Sequence, residues 1–200
     1  MNQAILFLSV CFGLLAPVAR ADSAPITIDF ENLSDSTYVG STYASQGIIF
    51  NGAVVLTAGI SLNDLEFPPH SGTNVAFDAN GPITLSLLTP ISSFSAFFTY
   101  LSPVTVTAFD ALNQAVATAQ SLFRANNVST GNAPNELIQL NDPSGISQVT
   151  LAGDPAGDSF VFDDVTFTQI SFTTVPEPGT LTLLALSLFV LVLFHKALIS

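Results

Sequence analysis

The chain of 200 residues is poor in the groups that bind anions or soft metals: three bases stand against 15 acids, with one cysteine and no tryptophan. A phosphate backbone is bound by displacing its counterions with Lys and Arg, so nucleic acid is excluded as a partner. Attraction to anionic lipid headgroups is excluded for the same reason. Cys11 lies in a hydrophobic run near the start. The remainder therefore has no disulfide, no thiolate metal site and no cysteine nucleophile. Without tryptophan and with three tyrosines, the chain is also short of rings for stacking on sugars.

What is present is divided unevenly. The first 21 residues hold 15 hydrophobic ones, and the last 25 hold another 15. Between Ala24 and Val175 there are 13 carboxylates and one base, Arg124, so nearly all of the formal charge of -12 belongs to a single-domain length of chain. Most of the 17 phenylalanines also fall there, enough for a core without covalent staples.

Residues 1–21 read as a secretory signal peptide: an apolar stretch from Ala4 to Leu15, then Pro17, then small residues around Arg20. At the other end, residues 181–199 read as a transmembrane helix with a short basic tail at His195 and Lys196. Lys196 fits an orientation with the domain outside. Between them, residues 173–180 form a tether in which Pro176 and Pro178 fix an extended, exposed chain.

Residues 22–172 read as an all-β domain. Short apolar segments alternate with Gly, Pro, Asn, Asp and Ser clusters, and period-two patterns are plain in Ile26/Ile28/Phe30, Ile83/Leu85/Leu87 and Val104/Val106/Ala108. The clusters divide the text into about ten strands. Gly47–Phe50 is separated from Ala53–Thr57, Ile83–Leu88 from Phe94–Tyr100, and Leu137–Leu140 from Ser147–Leu151. This pattern predicts a two-sheet antiparallel sandwich of jelly-roll type.

Val175, Pro176, Glu177 and Pro178, followed by the apolar run and a basic residue, resemble the PEP-CTERM sorting signal of bacterial exported proteins. The resemblance implies recognition by an exosortase, a membrane-embedded cysteine transpeptidase, which cleaves near the tripeptide and passes the protein to the surface of cells that make exopolysaccharide. Family tails usually end in several bases, whereas here Ala197 to Ser200 follow Lys196. More loosely, IDFENL, PHSGTNVAF and GISQVTLAGDPAGDSFVFDDVTF resemble the β-sandwich domains common in such proteins.

The candidate site is acidic. Asp29 and Glu31 near the first strand, and Asp163 and Asp164 in the last, would meet if those strands are neighbours, with Asp154 and Asp158 nearby. Packed carboxylates repel unless a cation intervenes, and hard oxygen ligands without His or Cys suit Ca²⁺. The same acids could instead be solvated and cap turns. Tyr38 and Tyr43, in a Gly/Ser loop, are the candidate platform for a sugar ring. His70 beside Ser71 does not make a triad by adjacency, and no catalytic residue is assigned. The sequence therefore reads as a non-enzymatic exported protein with a structural or exopolysaccharide-associated role. The alternative is a carbohydrate-binding jelly-roll module with structural calcium, and an exported hydrolase ranks third.

Overall fold

The computed structural model describes residues 18–174, together with Ala185, Leu188 and His195, three exposed positions with helical backbone. The expected signal peptide as far as residue 17, the Val175–Pro178 tetrapeptide and the rest of the 181–199 span lie outside the described residues. Among the described residues no helix is long and apolar enough to cross a membrane. Asp22–Ser171 forms one compact unit.

Residues 18–174 are all-β apart from one-turn 3₁₀ helices at Ala44–Gln46 and Val128–Thr130. The strands are β1 (Val18–Asp22), β2 (Ile26–Ile28), β3 (Tyr38–Gly40), β4 (Ile48–Thr57), β5 (Asn74–Phe77), β6 (Ile83–Tyr100), β7 (Thr105–Phe109), β8 (Ala115–Gln120), β9 (Glu136–Ala152) and β10 (Phe160–Thr174). Their hydrogen bonding is continuous, in the order β1, β10, β5, β4, β6, β9, β7, β8, with β2 on β10, β3 on β4 and a further pairing of β10 with β6.

Three pairs of expected strands are single strands. β4 pairs with β6 over Ile48 to Asn51 and with β5 over Val54 to Thr57. β6 pairs with β9 both before and after a break in register between Ser86 and Ser93. Turn-forming residues mark these bends: Gly52 and Gly145 have φ of 97° and 117°, and Pro90 lies at the irregular stretch of β6. A bulge or a glycine lets a strand twist and change partners without reversing, and a proline is tolerated there because no ladder bond is lost. Such residues therefore read as turns in sequence and act as bends in the fold.

The period-two patterns fill the core, with Ile26 and Leu87 partly buried at its edge. Ile28, Phe30, Ile83, Leu85, Val104, Val106 and Ala108 are all buried. At the centre Phe30 meets Tyr43, Phe50 and Phe162 edge-on, with ring centroids 5.6–6.0 Å apart. Such contacts contribute beyond area alone. A smaller cluster of Leu62, Val75 and Val161, backed by Leu56, Phe67 and Phe77, lies beneath the 58–69 segment.

Candidate functional site

β10 breaks register between Asp163 and Thr166, and Asp164 has a left-handed φ of 48°. This irregularity lets two successive carboxylates serve one loop, where regular alternation would send them to opposite faces. Ser71 N donates to Asp163 Oδ2 at 2.8 Å, and Ser71 Oγ donates to Asp164 Oδ1 at 2.9 Å. His70 Nδ1 lies 2.6 Å from Asp164 Oδ2, and its ring stacks on Phe97 at 3.4 Å, within 8° of parallel.

Glu31 holds the next residues of the same loop. Its Oε1 accepts Thr73 N at 2.8 Å and Asn74 N at 2.6 Å. Gly72 has a φ of 53°, and a Cβ there would collide with the Glu31 carboxyl. Glycine meets both conditions. Asn74, itself buried, donates to Phe30 O and Leu33 O and accepts from Thr57 Oγ1. The loop from His70 to Asn74 is thus fastened to the first and last parts of the domain.

Of the four acids expected to hold calcium, Glu31, Asp163 and Asp164 do serve one loop, but on different residues of it. Asp29 accepts Glu31 N at 3.2 Å, a local turn contact. Among the described residues no group of three or more His, Cys, Asp or Glu side chains is disposed to hold a metal ion. Calcium takes six to eight oxygens, and each of these carboxylates already accepts at least one protein N–H or O–H donor. Asp154 accepts Ala156 N at 2.9 Å in another loop.

Asp163 is almost wholly buried. Burial first, then the neighbouring charge of Asp164, pushes its carboxyl up to about 7 against the opposing hydrogen bonds.

The two tyrosines separate. Tyr38 is 65% exposed on β3, while Tyr43 is 3% exposed in the aromatic core. The Tyr43 hydroxyl donates to Asn32 Oδ1, and burial, reinforced by Asp29 and Glu31, pushes it up to about 12. A two-ring platform is therefore absent from this pair. Neither Asp164 nor His70 makes a triad with Ser71, since the serine hydroxyl donates to the aspartate and not to the imidazole.

Other acids repeat the anchoring role, and sequence reading missed them. Asp78, fully buried, accepts Ser159 N at 2.9 Å, Ser159 Oγ at 2.6 Å and Phe160 N at 3.0 Å. Burial raises its carboxyl above the ordinary value. Glu66 accepts Asn127 Nδ2 and Ser129 N, which closes the Asn127-Val128-Ser129 sequence into the fold. Glu136 accepts the Tyr100 hydroxyl and Leu122 N. The available signal was an excess of acids without bases, set among Ser, Thr, Asn and Gly. Such acids must find N–H and O–H donors in place of cations.

A cleft of ≈ 190 Å³ opens beside the smaller core, lined chiefly by Leu56, Leu62, Phe67, Phe77 and Leu101, with Asp158 also lining it. It contains one carboxylate and no histidine.

At the tail, the profile of the PEP-CTERM protein-sorting motif matches residues 174–196. The chain carries a PEP-CTERM sorting motif. This motif begins at Thr174, the last residue of β10, and includes Pro176, Glu177 and Pro178. No curated protein matches the chain. Among solved structures, a DUF4465 family protein from Bacteroides caccae is similar with 12% identity and a TM-score of 0.47, covering 74% of this chain and all of that one (100%). The CBM22-1 and GH10 modules of a Clostridium thermocellum xylanase, solved with xylohexaose, match at 15% identity and a TM-score of 0.37, over 76% of this chain and 31% of that one. The K3 adhesin domain of Lys-gingipain from Porphyromonas gingivalis matches at 15% identity and a TM-score of 0.37, over 75% and 99%. These likenesses add no residue and no activity to what the PEP-CTERM motif supplies.

Proposed function

We propose that the protein is an exported, non-catalytic component of the cell envelope or exopolysaccharide matrix, sorted by an exosortase through Val175, Pro176, Glu177 and Pro178. The observation that carries this reading is the match of residues 174–196 to the PEP-CTERM motif. In it, residues 1–21 deliver the chain, residues 22–172 fold outside as a jelly-roll sandwich, and residues 181–199 hold the tail in the membrane until cleavage. The acid corner supports a structural role: its groups fasten a loop, and the Ser71 hydroxyl donates to Asp164 and not to the His70 ring.

Mass spectrometry of the mature protein from exosortase-bearing cells tests the sorting step. A C-terminus near Pro176 is expected, with full-length chain accumulating when Glu177 is replaced by Ala. An intact C-terminus in such cells would overturn the proposal.

A further inference from the structure

The outer face of the β2, β10, β6 and β9 segment has a property that neither the sorting motif nor the acid corner accounts for. Thr27 on β2 faces Thr166 on β10, Thr166 faces Ser95 on β6, and Ser95 faces Gln139 on β9. Two residues further along, Thr168, Ser93 and Asn141 form a second row. Between the rows, Phe167, Phe94 and Leu140 are also register partners, and all three are buried. Alternation therefore sends both polar rows to the opposite face, where each member is partly or fully exposed. A row over four strands at about 4.8 Å per strand spans roughly 14 Å.

Thr27 and Thr166 hydroxyls bond to each other at 2.8 Å. Among the described residues, Ser93, Ser95, Gln139, Asn141 and Thr168 have side chains that no hydrogen bond within the protein engages. Every group in the two rows offers both a donor and an acceptor, and none is charged. The acids nearby are Asp164, paired with His70 one step along the sheet, Asp29, two residues beyond Thr27, and Asp142, which follows Asn141. They place negative charge around a neutral field. An anionic polymer is repelled by this setting, and a ligand dense in hydroxyls can satisfy it.

From this face, and resting on the matrix role proposed above, we infer that the two rows bind a neutral polysaccharide laid across the strands. The site is distinct from Tyr38 and Tyr43. Hydroxyl and amide groups take the place of the missing aromatic platform by hydrogen bonding to the sugar hydroxyls.

Affinity electrophoresis of the full chain in mild detergent tests it, with gels containing hydroxyethylcellulose, galactomannan or alginate. Wild type is expected to be retarded by at least one neutral polymer and not by alginate. Ser95→Glu with Gln139→Glu, and separately Ser93→Glu with Asn141→Glu, place charge in one row each and should weaken retardation about tenfold, the loss of one or two hydrogen bonds. Thr118→Glu, on the exposed side of β8, should behave as wild type, and thermal melts identify any variant that fails to fold. The inference is overturned if neither neutral polymer retards wild type, if both row variants match it, or if alginate retards it more strongly. Co-fractionation with the exopolysaccharide of the producing cells separates the two levels. Row variants that still co-fractionate overturn the site alone, whereas wild type that does not overturns the matrix role as well.

Discussion

Asp163 shows how one residue ties the acid corner to pH. Its carboxyl lies at about 7 in the fold against an ordinary 3.8, so the folded state holds a proton there that the unfolded state has released. The stabilisation is fully present below pH 3.8 and is lost as pH rises toward 7, at no more than about 1.4 kcal/mol per pH unit for one proton. Asp35 and Glu66, held low by hydrogen bonds foremost from Ser61 and Ser129, act in the opposite sense and only in more acid solution. The melting midpoint should therefore fall as pH rises from 5 toward 7, with Asp78, also raised by burial, acting in the same sense as Asp163. The check is a series of thermal melts of wild type and Asp163→Asn, with a flatter profile expected for the variant. Gly72→Ala belongs to the same corner. It strains a left-handed backbone and collides with Glu31, and it should cost about 2 kcal/mol or more in urea unfolding.

At the scale of elements, the long strands and the loops they leave between them depend on buried polar side chains. Asn126 is fully buried and accepts Tyr100 N at 2.7 Å while donating to Phe98 O and Ala133 O. It fastens the 121–135 connection to the end of β6. Asn126→Ala leaves these backbone groups unpaired and should destabilise the domain by about 2–3 kcal/mol. An unchanged urea midpoint would show that water replaces the amide. Sequence reading identified the apolar alternation that places β2, β6 and β7 in the core, because burial of one face imposes a period of two. It did not identify Asn126, or the continuity of β4, β6 and β9. A glycine or proline that bends a strand is chemically the same as one that reverses it, and only the partners on either side distinguish the two.

At the scale of the whole domain, six of its carboxylates are held by amide and hydroxyl donors. The fold sets carboxylates against loop amides and hydroxyls at Glu31, Asp35, Glu66, Asp78, Glu136 and Asp163. Because donors fill these acids, melts in EDTA and in millimolar Ca²⁺ should coincide. A higher midpoint with calcium would show that the ion binds the folded state and would restore a metal to the site.

The sequence by itself determined the all-β class, the core phase of its strands and the PEP-CTERM motif, since each follows from residue type and local order. Tertiary structure decided which acids meet which donors, that Tyr43 is core and Tyr38 is surface, and that Ser93, Ser95, Thr166 and Gln139 share one face. Those relations join residues far apart in the chain, and they exist only once strand register is set by packing of the opposite face.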